Sequence, residues 1–155
     1  MEKEYFAIVR GSPEQDGGVI DFPIASARTS KVELKMAVIS DGQPSRTEWR
    51  VLERRAGCAL LSCSPHTGRQ HQIRVHLEAI GHPVVGDKLY GADADVFEKS
   101  LDGRLTRADL ADLGMPRHAL HNHRVAFRSP ATGERVEVRS PLPPDMAAFL
   151  EAQAR

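Results

Sequence analysis

The chain has 155 residues, of which 41% are hydrophobic and 27% charged, and its 21 basic residues balance 21 acidic ones. This apolar fraction without net charge excludes a disordered chain, and it argues against a protein that holds polyanions by bulk charge. No run of about 18 apolar residues is present, which excludes a transmembrane helix. The length suits one domain, so we expect residues 1–155 to form a single domain.

The N-terminus and the cysteines indicate a cellular location. The first five residues are mostly charged and lack the apolar core of a signal peptide. Cys58 and Cys63 are too few for a disulfide framework, so we interpret both as small core residues. Together these features predict a cytoplasmic protein.

Strand patterns dominate the first 64 residues. Aromatic and β-branched residues at 4–10 predict a first strand, and residues 32–39 predict a second. The Asp-Gly dipeptide at 41–42 predicts a hairpin between that second strand and a third over residues 46–54. A short apolar run at 58–64 is typical of a buried strand.

A helix is predicted over residues 70–80, where apolar residues recur at helical spacing. The Thr67-Gly68 dipeptide predicts the turn before this helix. The Gly-His-Pro sequence at 81–83 predicts its end.

The last third of the chain combines short helices with a strand pair. Residues 96–113 predict an insert of short helices, and residues 119–128 and 135–140 predict two paired strands. A last helix is predicted at 145–154. The whole pattern predicts an α+β domain with a mixed, mainly antiparallel β-sheet and a few flanking helices.

The neutral total hides an uneven charge distribution. Residues 45–76 contain six arginines and two glutamates, a local charge of +4. Residues 83–114 contain seven acidic and four basic residues, a local charge of −3. The second stretch overlaps an acidic insert at about residues 92–116 that we expect to be exposed. Ordinary solvated surface is the simplest interpretation of each charge run.

The most informative segment is residues 65–76, which carry two arginines and three histidines but no acid. The predicted turn delivers Arg69 to a helix N-terminus, where backbone N–H groups favour an anion. On one helix, Gln70 and His71 would share a face with Arg74. The spacing fits an anion or phosphate site, an arginine paired with a buried carboxylate, or a solvated helix start.

The histidines do not predict a metal centre. His66, His71 and His76 are spaced by five residues and do not stack on one helix face, so zinc ligation is not expected. His121 and His123 would point to one side of a strand, where a hydrogen-bonded or exposed pair is the simpler interpretation.

Residues 65–91, PHTGRQHQIRVHLEAIGHPVVGDKLYG, resemble the RluA-type members of the RsuA/RluA family of RNA pseudouridine synthases. The similarity continues on both sides. Residues 3–11, 18–24 and 47–52 resemble the strands that precede this motif in the family, and residues 120–130 resemble its late hairpin. The resemblance therefore covers nearly the whole chain.

The resemblance implies an enzyme that isomerises uridine to pseudouridine in RNA, ribosomal or transfer, without a metal or organic cofactor. The target uridine is flipped out of its stack into the pocket. Tyr5 corresponds to the tyrosine that stacks on the flipped base, and Arg74 to the arginine that pairs with the catalytic aspartate. The positions expected to bind RNA at the rim of the pocket are Thr67, Gly68, Arg69 and His71.

One part of the family pattern is missing from these 155 residues. The nucleophilic aspartate of the family lies in a His-Arg-Leu-Asp stretch upstream of the tyrosine strand, and that stretch does not occur here. We therefore expect the C-terminal two-thirds of a synthase domain, inactive alone, with the missing N-terminal segment as a partner. Arg74 would then be an unpaired, partly buried cation, which is costly.

Two alternatives stay open beside this fragment of an active enzyme. The chain could be a short protein that binds RNA without isomerising it. It could also be a decayed remnant whose truncated sheet exposes an edge and an apolar face. The sequence carries no signal for a membrane partner or for a particular oligomeric state.

Overall fold

Six antiparallel strands form the main sheet of the computed structural model, which describes residues 1–28, 30 and 32–154. The strands are β1 (Glu2–Arg10), β2 (Gly17–Asp21), β3 (Ile24–Ser26), β4 (Met36–Val38), β5 (Arg46–Arg55), β6 (Cys58–Pro65), β7 (Leu120–Arg128) and β8 (Arg135–Arg139). The helices are α1 (Gln72–Ala79), α2 (Val96–Leu101), α3 (Arg107–Leu113) and α4 (Pro144–Glu151). The main sheet has the order β2-β5-β6-β1-β7-β8, and β3 pairs with β4 in a second sheet.

The predicted α+β class is confirmed, and every strand pair within the described ranges is antiparallel. The strands predicted at 4–10, 46–54 and 58–64 form as β1, β5 and β6. The predicted late pair forms as β7 and β8. In β5, Trp49 is buried while Arg50 is exposed, because alternate residues of a strand point to opposite faces.

The hairpin predicted at residues 41–42 is wrong. The strand predicted over residues 32–39 shortens to β4, which pairs with β3 in the register Ile24↔Val38. Strand β5 has β2 on one edge and β6 on the other, so no edge is left for β4. The choice of partner is made by strands distant in sequence, and a local turn signal does not contain that information.

Helix α1 is fastened to β5 through a buried polar contact. Ile73 and Leu77 bury one side of the helix in the core. His76 is fully buried, with Nδ1 2.9 Å from the Thr47 hydroxyl and Nε2 3.0 Å from the carbonyl oxygen of Phe22. Since a carbonyl oxygen only accepts, Nε2 carries the proton and Nδ1 accepts from Thr47. The imidazole therefore joins helix and sheet in its neutral form.

The helix predicted over residues 70–80 forms but begins two residues later, at Gln72. His71 precedes it with a φ of 56°, a left-handed conformation that interrupts a right-handed helix. Because Gln70 and His71 both precede the helix, neither shares a helix face with Arg74, contrary to the prediction. The helix ends as predicted, because Gly81 adopts a φ of +83° just beyond it.

The acidic insert at 92–116 contains the two predicted short helices, α2 and α3, but it is not wholly exposed. Val96, Leu113 and Met115 are buried, whereas Leu101 is exposed. Burial of these apolar side chains holds the insert against the domain.

The segment after α1 returns the chain to the sheet and fixes its own backbone there. Val85 donates its N–H to the carbonyl oxygen of Ile8 in β1 at 2.9 Å. Gly86 follows with a φ of +75°, and a Cβ at this position would lie 2.1 Å from the carbonyl oxygen of Arg117. Because only glycine fits here, the position of the next residue, Asp87, is set by backbone packing.

This packing predicts that Gly86→Ala destabilises the protein by about 3 kcal/mol, because both the left-handed φ and the close carbonyl oppose a methyl group. Gly103→Ala is the matched control, since Gly103 has a φ of +67° but nothing within 4 Å of its Cβ position. It should cost only about 1 kcal/mol. Chemical denaturation of both variants measures the difference, and equal losses would contradict the packing argument.

Candidate active site

The turn before α1 is held in place by the side chain of Gln72. Its Oε1 accepts hydrogen bonds from the Thr67 hydroxyl at 2.7 Å and from the Arg69 N–H at 3.0 Å. Its Nε2 donates to the carbonyl oxygen of Arg46 and to the hydroxyl of Thr47, both at 3.0 Å. All polar atoms of this amide bond within the fold, so the turn is fixed against β5.

The predicted RNA-binding residues of this turn have different surroundings. The Thr67 hydroxyl is occupied within the fold, because it donates to Gln72 and accepts a backbone N–H of β5. Gly68 and Arg69 line a surface cavity of about 450 Å³ that borders the two-stranded sheet. Arg69 is exposed, and its Nε donates to the carbonyl oxygen of Pro44 at 3.3 Å. It lies three residues before α1, not at the helix N-terminus as predicted.

Most of the basic segment 45–76 is paired with carboxylates. Five of its six arginines lie within 4.0 Å of an acidic side chain. The pairs are Arg46 with Asp21 and Glu48, Arg50 with Glu4, Arg54 with Asp16, Arg55 with Glu53, and Arg74 with Asp87. Within residues 1–28, 30 and 32–154, Arg69 has no carboxylate partner. The uncompensated positive charge of this segment is therefore concentrated at Arg69.

Arg74 is paired, which corrects the expectation of an unpaired cation. Its Nε donates to Asp87 Oδ2 at 2.6 Å and its Nη2 to Asp87 Oδ1 at 2.8 Å. The Asp87 side chain is fully buried, and its Oδ1 also accepts the N–H groups of Leu89 and Tyr90. Burial raises the pKa of Asp87, but the hydrogen bonds and charge of Arg74 and the two N–H donors outweigh it, so the pKa lies below its usual value. The pair is charged at neutral pH.

The outer edge of the Arg74 guanidinium is open. This group has five N–H donors, and Asp87 accepts one from Nε and one from Nη2. Nη1 has no hydrogen-bond partner in the described part of the chain, and 15% of the side chain is exposed. A second carboxylate can therefore bind Arg74 from the solvent side without displacing Asp87.

Tyr90 contacts Arg74 and joins it to two other elements. Its ring centroid lies 4.8 Å from Arg74 Cζ, a cation–π contact. Its hydroxyl accepts the Met36 N–H at 2.9 Å and lies 2.9 Å from His71 Nδ1. Burial raises the pKa of Tyr90 to about 12 and lowers the pKa of His71. The hydroxyl thus keeps its proton and can donate it to a neutral imidazole.

Tyr5 lies near the middle of the main sheet, on β1. Its neighbours are Cys63 in β6 and Asn122 in β7, and a β-bulge separates it from Glu4. The side chain is half-buried and packs against the core. Within the described residues no hydrogen bond joins Tyr5 to Arg74, so the joint catalytic role of these two residues stays a prediction.

Sequence reasoning missed Asp87 and Tyr90 as site residues. Both belong to the motif that carried the family resemblance, but the stretch around them was interpreted by its net charge alone. The detectable signal was a Gly-Asp-Lys sequence at 86–88 with the apolar residues Val84 and Val85 before it and Leu89 and Tyr90 after it. An acid in that setting is typical of a buried carboxylate on a tight turn.

The histidines have separate partners. His66 Nε2 lies 3.0 Å from a Glu48 carboxylate oxygen, while His121 and His123 both contact the carbonyl oxygen of Ser140. Among the described residues no group of three or more His, Cys, Asp or Glu side chains could hold a metal ion. None of the helices in those ranges has the length and apolar character needed to cross a membrane.

Known proteins resemble both the sequence and the fold. A family model described as RNA pseudouridylate synthase matches residues 1–79, just over half of the chain. Ribosomal large subunit pseudouridine synthase D of Nitrosomonas europaea is 41% identical over 152 residues, which are 98% of this chain and 41% of that protein. Ribosomal large subunit pseudouridine synthase C of Pasteurella multocida is 36% identical, over 98% of this chain and 43% of that protein. The chain spans about two-fifths of the length of these relatives.

Two solved human structures share the fold. Human RNA pseudouridylate synthase domain containing 1 aligns with a TM-score of 0.74 and 31% identity over 99% of this chain and 59% of that one. Human RNA pseudouridylate synthase domain containing 4 aligns with a TM-score of 0.69 and 26% identity, over 97% of this chain and 61% of that one. The α+β architecture is therefore that of a pseudouridylate synthase domain.

Three histidines whose pKa values are lowered in the fold predict that acid weakens it. Burial lowers the pKa of His71 and His76 below the usual value of 6.5, and partial desolvation together with the charge of Arg74 lowers the pKa of the more exposed His118. Below pH 6.5 the unfolded chain therefore binds more protons than the folded chain, so the free energy of unfolding should fall from pH 7 to pH 5. Denaturant titrations across this range measure the slope.

His76→Gln should reduce that slope by roughly a third, because one of three such histidines is removed. Leu150→Ala, a core substitution in α4 that carries no titratable group, is the control. It should lower stability without changing the slope. A free energy of unfolding that is flat or rises as the pH falls would contradict the assignment.

Proposed function

The chain belongs to the RNA pseudouridylate synthase family, in its RluA-type branch, and we propose that it forms part of an enzyme that converts uridine to pseudouridine in structured RNA. One structural observation, the geometry of Arg74, supports the proposal. Arg74 is held on one edge by buried Asp87 and is open on the other, as an arginine that receives a second carboxylate must be.

The proposed reaction is an isomerisation in which atoms balance within the nucleotide. The N1–C1′ bond breaks, the base turns, and a C5–C1′ bond forms while C5 loses a proton and N1 gains one. Tyr5 offers a rigid aromatic face for the flipped base, and its half-buried position on β1 leaves part of that face accessible. No cofactor is required by this scheme.

Asp87 is not a suitable nucleophile. Its side chain is fully buried, and its two oxygens already accept four hydrogen bonds, from Arg74, Leu89 and Tyr90. We infer that the nucleophilic aspartate comes from a segment outside the 155 residues, since the His-Arg-Leu-Asp stretch does not occur within them. By this inference the chain alone is inactive, and that segment of the same domain is its partner.

The substrate class follows from the relatives. Two of them are named as ribosomal large subunit pseudouridine synthases, so large-subunit ribosomal RNA is the first substrate to test and transfer RNA the second.

A cytoplasmic location fits this substrate and the two buried free thiols, Cys58 and Cys63. Burial raises the pKa of Cys63 to about 12, which keeps it unreactive.

Arg69 is predicted to carry the salt-dependent part of RNA binding, because it is the basic-segment arginine without a carboxylate partner. Arg69→Ala should weaken binding of a labelled RNA hairpin several-fold. It should also lower the slope of log affinity against log salt by about one. Fluorescence anisotropy at several salt concentrations measures both quantities.

Arg54→Ala is the matched control for this measurement. Arg54 is an arginine of the same segment, but it is paired with Asp16 and bonded to two carbonyl oxygens. Its removal should leave the salt slope nearly unchanged. Equal effects of the two variants, or binding that ignores salt, would remove Arg69 from the RNA interface.

The activity is tested by adding, as a separate chain, the proposed segment that carries the His-Arg-Leu-Asp stretch. The mixture should release tritium from RNA labelled at uridine C5, should form pseudouridine, and should unfold at a higher temperature than the chain alone. Arg74→Ala should destabilise the chain alone, because it leaves the buried Asp87 unpaired. Measured against that variant chain alone, the rise in unfolding temperature on mixing should also be smaller, because the open edge of the guanidinium is lost. An Asp→Asn change in the added segment should abolish product but leave complex formation.

Other outcomes would contradict the proposal in distinct ways. Product from the chain alone would show that the nucleophile lies within these residues. RNA binding without product in either sample would favour the alternative of an RNA-binding protein that does not isomerise uridine. The lack of an in-frame His-Arg-Leu-Asp stretch upstream would exclude this gene as the source of the nucleophile.

A further inference from the structure

The guanidinium of Arg74 is enclosed on its inner side by a cluster formed by Asp87, Tyr90 and His71. We propose that Tyr90 is a positioning residue that, together with Asp87, sets the direction in which the open edge of Arg74 faces. This inference rests on the proposed function, because it assigns Arg74 as the partner of the catalytic carboxylate. Tyr90 itself is 1% exposed and does not reach a substrate.

Asp87 and Tyr90 restrict different motions of the same group. The bidentate contact with Asp87 fixes the guanidinium within its own plane. The Tyr90 ring, 4.8 Å from Arg74 Cζ, opposes movement of that plane toward the ring. With both contacts in place the guanidinium has little freedom to turn. Nη1, which has no hydrogen-bond partner among the described residues, is left for a further ligand.

Two other parts of the fold hold the Tyr90 side chain in place. The Met36 N–H of β4 donates to its hydroxyl, and His71 Nδ1 lies 2.9 Å from the same oxygen. The two rings meet edge to face at 5.7 Å between centroids. The backbone of His71 is left-handed, so this residue stays outside helix α1. In that conformation its ring contacts Tyr90. A side chain held only for packing would not need these two polar contacts.

One turn presents both groups to Arg74. The Asp87 Oδ1 that binds Arg74 also accepts the Tyr90 N–H at 3.1 Å, so carboxylate and ring are set by the same backbone. A Cβ at Gly86 would lie 2.1 Å from the carbonyl oxygen of Arg117, and one at Gly91 would lie 2.3 Å from a Pro83 side-chain atom. The turn therefore has glycine at both ends by necessity and has little freedom to shift.

The experiment compares three variants. Tyr90→Phe keeps the ring and loses the hydroxyl, whereas Tyr90→Leu removes the ring. Leu150→Ala, in the buried face of α4, is a control for lost stability, since Leu150 and Tyr90 belong to different hydrophobic clusters. Should Tyr90→Leu not unfold cooperatively, Tyr90→Met takes its place, because an unbranched side chain fills the space with less strain.

The first readout uses the 155-residue chain alone and needs no activity. The Nε–H resonance of Arg74 should be sharp and slow to exchange with water in the wild type. In Tyr90→Phe, which keeps the ring but loses both hydroxyl contacts, this resonance should exchange slightly faster. It should broaden and exchange at least about tenfold faster in Tyr90→Leu, because the guanidinium can then leave Asp87 more often. Leu150→Ala should leave this resonance unchanged.

The second readout is turnover in the mixture with the aspartate-bearing segment. Tyr90→Leu should lower kcat at least about tenfold with little change in KM, because RNA binding is intact and the carboxylate partner is misplaced. Tyr90→Phe should have a kcat between those of the wild type and Tyr90→Leu, and Leu150→Ala should retain most of the wild-type kcat.

The two readouts separate this inference from the proposed function. Unchanged Nε–H exchange in Tyr90→Leu, or a kcat equal to that of Leu150→Ala, would overturn the positioning role. If the wild-type mixture forms no pseudouridine, the proposed function fails, and the exchange measurement alone decides whether Tyr90 orders Arg74.

Discussion

The bidentate pair between Arg74 and Asp87 is the contact on which the rest of the site depends. Taking both charges out of water is costly, and the pair is stable only because further donors satisfy the carboxylate. Those donors are the N–H groups of Leu89 and Tyr90, which only a tight turn after Gly86 can supply. Losing one partner would leave a buried charge uncompensated, at about 3–5 kcal/mol. This requirement explains why the turn is so closely packed.

Local patterns predicted the central strands and helix α1 because those elements carry their own periodicity. The alternation of Trp49 and Arg50 and the recurrence of Ile73 and Leu77 are properties of short windows. The partner of Arg74 was not predictable in this way. Asp87 lies 13 residues later, in a stretch whose acidic composition indicated exposure. Its burial depends on contacts with β1 and with the segment before β7, which are distant in sequence.

The charges of the basic segment are balanced largely by pairing across strands. Acids from β1 and β2 and from the loop between them lie beside arginines of β5, so the basic segment is largely neutralised where it folds. Arg69 sits on a turn that has hydrogen bonds to backbone groups and to an amide, and no acidic side chain among the described residues pairs with its guanidinium. The positive charge of this segment that lacks an acidic partner therefore lies beside a cavity.

The adjacent residues His71 and Gln72 link the turn that carries Arg69 to the cluster around Arg74. Without this link the two places could respond to ligands independently. Gln72 holds the turn that carries Arg69, and His71 contacts the tyrosine beside Arg74. A ligand that shifts this turn must change the free energy of both arrangements. In the proposed function RNA binds at Arg69 and a carboxylate binds at Arg74. Thermodynamic linkage would then require reciprocity: the factor by which the RNA changes the affinity for the carboxylate equals the factor by which the carboxylate changes the affinity for RNA. RNA and the proposed aspartate-bearing segment would thus be heterotropic effectors of one another.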